Sequence, residues 1–172
     1  MKYDHLLFRR GFLLTNLKEV KFKSKLANKI VNDWDKNVFG NYTIYSDKIN
    51  SKSQYKYRDV EVFVMGLVFN PFNNDRNIEN ITKELAHRLS KSVDKFLDYL
   101  DELSGRFIVV TSKNDKTEVY HDACATRTVF YNKYGDSTVI ASHSAIIGEL
   151  LNIEPSKYSV EMLNHPTYSG VR

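Results

Sequence analysis

The sequence is poor in the residues that mark secreted, fibrous and membrane-spanning proteins. It has one cysteine, Cys124, in 172 residues, which excludes an intrachain disulfide and a zinc site built from cysteines alone. Seven glycines and three prolines leave little room for a linker or a low-complexity tract. The apolar run at 63–69 is far shorter than the roughly 20 residues that cross a bilayer. Asp4, Arg9 and Arg10 interrupt the first apolar run, which argues against a signal peptide. We therefore expect a cytoplasmic protein without a membrane span.

The net charge of +4 and the pI of about 9.0 raise the question of a nucleic-acid partner. Hydrophobic residues make up 42% of the chain and charged residues 27%, which is typical of one globular domain with its own core. The lysines between Lys18 and Lys56 are spaced among polar residues, without a Gly-rich phosphate loop, a zinc-finger pattern or a base-stacking pattern. A solvated lysine-rich face explains them, so we expect no nucleic-acid partner. A basic nucleic-acid-binding module remains an alternative hypothesis.

Hydrophobic periodicity predicts blocks of strands and helices. Residues 60–69 are almost continuously apolar after Glu61, which is typical of a central strand covered on both faces. After a turn at 70–75 the period changes to about 3.6, which predicts a helix capped by Asn77, a break at 90–92 and a second helix. The other predicted elements are strands at 3–15, 38–45, 106–111 and 118–122, a hairpin of 129–132 with 138–142, a helix at 145–151 capped by Ser142 or Ser144, and a helical turn at 159–163. This order favours an α+β fold of two sheets with helices outside.

Four segments carry a family resemblance. They are MGLVFN at 65–70, DYLDELSGRF at 98–107, DACATRTVFY at 122–131 and ASHSAII at 141–147. In this order and spacing they resemble the N-terminal glutamine amidotransferase domain of asparagine synthetases, a class II domain of the N-terminal-nucleophile type. The resemblance implies a four-layer αββα sandwich of the N-terminal-nucleophile hydrolase type. It also implies an amidotransferase-like domain over 1–154 and an extension over 155–172 that resembles the lead-in to a synthetase domain.

The reaction machinery of that family is missing here. In the family, a cysteine directly after the initiator methionine attacks the glutamine amide, and an Asn-Gly pair holds the oxyanion. This sequence has Lys2 at the nucleophile position and Met65 at the asparagine position, where a thioether offers no donor to developing negative charge. Leu67 replaces a glutamate that holds the amino-acid end of glutamine. The resemblance therefore implies a pseudoenzyme without glutaminase activity, whose retained motif positions serve the fold: Gly66, Gly105, Asp122, Arg127 and Ser142.

Two side chains remain as candidate nucleophiles. Cys124 is the single thiol and has histidine, acidic and arginine neighbours in sequence that would activate it if they converged. A structural cysteine is the commoner outcome. Thr15 becomes an N-terminal nucleophile only if the chain is cut directly before it, and no flanking residue signals such processing. An active amidohydrolase that uses Cys124 or a processed Thr15 is an alternative hypothesis. The five histidines show no metal-ligand spacing, so we expect no metal site.

The resemblance also implies a partner. We expect the domain to act as a scaffold or docking partner for an ATP-dependent, amide-forming synthetase domain, joined in cis or supplied in trans. On this interpretation the domain itself needs no cofactor, and ATP and Mg²⁺ belong to the synthetase. The sequence does not determine the oligomeric state, and a homo-oligomer is compatible with it.

Overall fold

A computed structural model describes residues 7–165 of the chain. Residues 1–6 and 166–172 lie outside the described residues. The predictions about Lys2 and about the last residues as a lead-in to a synthetase domain fall in these two segments. The described strands are β1 Phe12–Thr15, β2 Asp35–Phe39, β3 Tyr42–Ser46, β4 Lys52–Tyr57, β5 Val60–Phe69, β6 Ser104–Lys113, β7 Lys116–His121, β8 Phe130–Tyr134 and β9 Ser137–Ala141. The described helices are α1 Lys25–Asn32, α2 Ile78–Lys91, α3 Val93–Asp101, α4 Ser144–Leu151 and α5 Lys157–Asn164. None of these helices is long and apolar enough to cross a bilayer.

The strands form two antiparallel sheets, so the α+β class is confirmed. Sheet A has the order β2-β3-β1-β9-β8, and sheet B has the order β4-β5-β6-β7. In sheet B, β5 and β6 pair over their whole length, from Val60 opposite Lys113 to Phe69 opposite Ser104. The prediction of a central strand at 60–69 is confirmed, because β5 lies between β4 and β6. Both predicted hairpins are also present, as β6–β7 and β8–β9.

Alternation along the strands divides the buried side chains into three clusters, because successive residues of a strand point to opposite faces. One cluster joins sheet A to sheet B and contains Phe12, Leu14, Phe39, Ile44, Phe63, Met65, Ile108 and Val110. A second joins Val60, Val62 and Val64 of β5 to α2 and α3. A third joins Leu13, Val139 and Ala141 of sheet A to α1 and α4. The buried side chains of the two sheets thus fall into one cluster shared by both sheets and two clusters that each include helices.

Two glycines allow β5 and β6 to approach closely. Gly66 has a φ of +118° and Gly105 a φ of +132°, a region that side chains rarely adopt. A Cβ at position 66 would lie 2.3 Å from the carbonyl oxygen of Arg106, and one at position 105 would lie 2.2 Å from that of Leu67. Gly66 and Gly105 thus lie where the opposite backbone leaves no room for a side chain.

The first strand is shorter than its predicted range of 3–15. Within the described residues, β1 begins only at Phe12, because residues 7–10 form a turn. Phe8 and Arg10 both have a φ of +56°, and the N–H of Gly11 donates to the carbonyl of Phe8 at 2.8 Å. This turn places two arginines at the start of β1 rather than within a strand.

The predicted single strand at 38–45 is wrong, since this segment forms a hairpin of β2 and β3. Gly40 takes a φ of +53° at the turn, and Val38 pairs with Thr43.

The predicted cap of α4 is also wrong, because its N-cap is His143 and no side chain caps this helix. The backbone of Ser142 instead continues from β9, and its amide donates to the carbonyl of Phe12.

Periodicity does not predict α1 or β4. Helix α1 is lysine-rich, but the hydroxyl of Ser24 caps it by accepting from the Ala27 amide, and Ala27 and Val31 are buried. Strand β4 lies at the edge of sheet B, and it is held by its antiparallel pairing with β5 rather than by an apolar face of its own. Both elements depend on tertiary contacts that a local pattern does not contain.

Candidate functional site

A cleft of about 550 Å³ opens where the turn before β1, strands β5 and β6 and the loop after β7 meet. Four of its lining residues are arginines, so we call it the arginine cleft. Its lining consists of Arg9, Arg10, Ile49, Asn50, Ser51, Gly66, Leu67, Arg106, Arg127, Thr128, Ser142 and His143. The volume lies within the range of about 300–1,000 Å³ that is usual for small-molecule sites. The cleft is therefore the best candidate for a functional site in the described part of the chain.

Arg127 is the buried arginine of the cleft, with 7% of its surface exposed. Its Nη2 donates to the carbonyl of Arg10 at 2.7 Å and to Oδ1 of Asn50 at 3.1 Å. Burial lowers the pKa of Arg127 to about 10, and the positive charges of Arg106 and Arg10 act in the same direction. Nε of Arg127 has no hydrogen-bond partner among residues 7–165. The guanidinium thus ties the turn before β1 to the loop after β3 while its charge stays only partly compensated.

Asp122 holds the backbone of the loop that carries Arg127. Its carboxylate accepts from the amide and hydroxyl of Thr126 at 2.9 and 2.8 Å, and from the amide of Arg127 at 2.9 Å. Burial alone would raise the pKa of Asp122, but these hydrogen bonds outweigh it and lower the pKa below its ordinary value. Asp122 therefore fixes the loop conformation and, through it, the position of Arg127.

Ser142 and His143 form a hydroxyl–imidazole pair at the edge of the cleft. Oγ of Ser142 lies 2.8 Å from Nδ1 of His143 and accepts from the amide of Phe12 at 2.9 Å. Burial lowers the pKa of His143, and the charge of Arg127 adds to this effect, so both favour the neutral imidazole. A hydroxyl beside a neutral imidazole is the arrangement that activates a nucleophile. Here the hydroxyl is buried and already accepts a backbone amide, which is the arrangement of a structural link between β1 and β9.

Neither candidate nucleophile lines the arginine cleft. Cys124 is exposed in the loop after β7, and the carboxylate of Asp122 bonds to Thr126 and Arg127 rather than to the thiol. Thr15 is 1% exposed at the far end of β1, where its hydroxyl donates to the carbonyl of Thr138 and accepts from the Leu17 amide. The structure does not bring the two candidates together with each other or with the cleft.

The stretch of β5 around Gly66, where the sequence resemblance leads us to expect oxyanion donors, has its amide at Gly66 already occupied. Met65 is buried in the cluster between the sheets, so its side chain does not reach the cleft. The N–H of Gly66 donates to the carbonyl of Ser51 at 2.9 Å. Leu67 lines the cleft and offers only an apolar side chain. This stretch of β5 therefore supplies no free donor toward a developing oxyanion.

Comparisons with known proteins give a likeness only to solved structures. No protein-family model matches the sequence, and no curated protein is significantly similar to it. Among solved structures, the chain is similar to the glutamine phosphoribosylpyrophosphate amidotransferase of B. subtilis in complex with ADP and GMP. The TM-score is 0.48 and the identity 15%, and the likeness covers 86% of this chain and 40% of that chain. The chain thus matches well under half of that protein's length. A likeness of this size says nothing about what this chain binds or catalyses.

Sequence reasoning misses the convergence of the arginines. Arg9 and Arg10 precede β1, Arg106 lies on β6, and Arg127 follows β7. The bond from Arg127 to the Arg10 carbonyl joins two of these segments, and the bond from the Asp122 amide to the Phe107 carbonyl joins the loop after β7 to β6. The one local signal is the adjacent pair Arg9-Arg10 directly before a glycine and a strand.

Proposed function

We propose that this chain is a glutaminase-inactive, amidotransferase-like domain that docks on an ATP-dependent, amide-forming synthetase domain. One observation carries the proposal: neither candidate nucleophile, Cys124 or Thr15, lines the arginine cleft. Lys2 in place of the family's cysteine, and the occupied N–H of Gly66, support the same conclusion. Removal of one oxyanion donor alone typically lowers a rate about 100- to 1,000-fold.

We further propose that the layers follow the order helices, sheet A, sheet B, helices. The proposal is supported by the three buried clusters, of which one lies between the sheets and two lie between a sheet and its helices. In this arrangement α1 and α4 form one outer layer, and α2 and α3 form the other. The order corresponds to the αββα sandwich that the sequence resemblance implies.

A docking role is supported by an apolar surface beside the edge strand of sheet A. A cavity of about 400 Å³ lies between β8 and α4, and its lining includes Phe130, Tyr131, Ile147 and Ile153. We call it the β8–α4 groove. Tyr131 is 74% exposed, and α5 has no buried residue although it carries several apolar side chains. Exposed apolar patches of this kind mark sites of protein association.

The absence of glutaminase activity is tested with the purified full-length chain. We expect no glutamate release from glutamine above the rate without protein. Release that Cys124→Ala or Thr15→Val abolishes would contradict the proposal and favour the active amidohydrolase. Intact-mass spectrometry is the companion measurement, because self-processing before Thr15 would remove the mass of residues 1–14.

The docking role is tested against the synthetase domain encoded after this chain or beside it, recognised by a Ser-Gly-Gly-x-Asp-Ser pyrophosphate loop. We expect the purified domains to bind, and Tyr131→Asp to weaken the binding. Tyr134→Asp is the matched control, since Tyr134 is on the same strand and 64% exposed but does not line the groove. Equal loss in both variants would contradict docking through the β8–α4 groove. Self-association that Tyr131→Asp dissolves would replace the synthetase by a second copy of this chain.

A further inference from the structure

The arginine cleft contains four arginine side chains, and no carboxylate among residues 7–165 pairs with any of them. None of its lining residues is acidic. Among the ion pairs of residues 7–165, none involves Arg9, Arg10, Arg106 or Arg127. The nearby carboxylates of Asp47 and Asp122 accept from backbone amides, those of Arg10 and Arg127 respectively. The cleft therefore carries an excess of positive charge that the described side chains do not neutralise.

The excess positive charge of the cleft includes one buried group, the guanidinium of Arg127. Its side chain is 7% exposed, and Nε has no hydrogen-bond partner in the described part of the chain. A buried charge is costly unless it is paired and hydrogen-bonded. Arg106 and Arg10 lie close enough for their charges to disfavour the charged form of Arg127. An anion in the cleft would relieve this repulsion and supply the missing counter-charge.

The volume of the cleft and the donors of its arginines indicate which class of anion fits it. Several arginines favour a group with more than one negative charge and several acceptor oxygens, because each guanidinium presents a planar fork of donors that matches phosphate geometry. A volume of about 550 Å³ holds a small molecule. Ile49 and Leu67 are exposed and apolar at the same cleft, where they can contact the organic part of such a ligand.

We infer that the arginine cleft binds the phosphate group of a small phosphorylated molecule. The site takes phosphate oxygens on the exposed guanidiniums of Arg9, Arg10 and Arg106, while Arg127 supplies the charge at the base. This inference does not rest on the docking role, which concerns the β8–α4 groove, and each can fail without the other.

The test uses inorganic phosphate and pyrophosphate as probes and isothermal titration calorimetry at fixed ionic strength. We expect pyrophosphate to bind the full-length chain and to raise its melting temperature. Arg106→Gln should weaken the binding at least about tenfold, the equivalent of one charge-assisted hydrogen bond. Arg106 is exposed and none of its side-chain atoms takes part in a hydrogen bond with residues 7–165, so this variant should keep the fold, which circular dichroism checks.

Arg76→Gln is the matched control, because Arg76 is exposed and lies outside the cleft. It removes the same charge and should leave pyrophosphate binding unchanged. Equal weakening in both variants would overturn the inference, since it would reveal a response to net charge alone. Absence of pyrophosphate binding at millimolar concentration would also overturn it, as would equal affinity for succinate, a dianion whose only charged groups are carboxylates. An oligonucleotide that displaces pyrophosphate and binds more tightly would replace the small-molecule site by a nucleic-acid interface.

Discussion

Gly66→Ala tests whether the close approach of β5 and β6 requires glycine at this position. The substitution adds one methyl group at a position whose φ is +118°. A side chain in such a sparsely populated region costs about 1–3 kcal/mol. The new Cβ would lie 2.3 Å from the carbonyl oxygen of Arg106, about 1 Å inside ordinary van der Waals contact.

The clash adds to the backbone strain. Because the obstructing atom belongs to the backbone of β6, no side-chain rotation relieves the contact, and the two strands must move apart. Overpacking of this kind costs about 1–3 kcal/mol. Together the two effects should lower the free energy of unfolding by roughly 2–6 kcal/mol, a large share of the about 5–15 kcal/mol that is usual for a domain.

Gly135→Ala is the matched control. Gly135 also has a positive φ, of +56°, but a Cβ added there would have no atom within 4 Å. Only the left-handed backbone penalty of about 1–2 kcal/mol applies there. Both substitutions reduce the entropy of the unfolded chain equally, so this contribution cancels in the comparison.

The measurement is urea unfolding followed by circular dichroism, with free energies from linear extrapolation. We expect Gly66→Ala to be less stable than Gly135→Ala by about 1–3 kcal/mol, which is the overpacking cost that Gly135→Ala lacks. Gly105→Ala should behave like Gly66→Ala, since its Cβ would lie 2.2 Å from the carbonyl oxygen of Leu67. Equal stability of the Gly66 and Gly135 variants would refute the reasoning.

Two further predictions concern polar side chains that hold backbone amides. Asp122→Asn should lower the free energy of unfolding by on the order of 1–3 kcal/mol at pH 7. Because hydrogen bonding lowers the pKa of Asp122 below 3.8, its contribution is present at neutral pH and lost as the pH falls through this depressed pKa. Acid titration of unfolding should therefore be shallower for the variant, and identical pH profiles would contradict the assignment. Asn77→Ala should cost about 0.5–2 kcal/mol in thermal unfolding, because Asn77 caps α2 through the amides of Glu79 and Asn80. Asn80→Ala, on the exposed side of that helix, should be neutral, and equal losses would contradict the cap.

The fold could be predicted where the sequence pattern is strong and local. The apolar run of β5 and the 3.6-residue period after Asn77 each determine their own element, and Ser92 marks the break between α2 and α3. Lysine-rich α1 and polar β4 could not be predicted in this way. The first depends on burial of Ala27 and Val31 against sheet A, and the second on backbone pairing with β5.

The candidate site was less accessible to sequence reasoning. Gly66 and Arg127, which the sequence resemblance singles out, both line the cleft, yet the sequence does not show that Arg9, Arg10 and Arg106 join them. That convergence follows from the turn at 7–10 and from the register of β5 with β6. The sequence alone shows which residue stands at a given position, so the prediction that the family's cysteine nucleophile is missing needs no structure. A cluster of charges from distant segments depends on the fold and cannot be found in this way.

The order of strands has a consequence for how the chain assembles. Sheet B takes its four strands consecutively from one stretch of the chain, so each pairing closes a short or moderate loop. Sheet A instead joins β1 to β9, and the bond from the Phe12 amide to Ser142 spans 130 residues. Loop-closure entropy grows with the length of the loop, so sheet B should form early and sheet A late. During synthesis on a ribosome, β1 could pair with β9 only after the β8–β9 hairpin has emerged. The arginine cleft, whose lining includes Ser142 and His143, would therefore form only at that step.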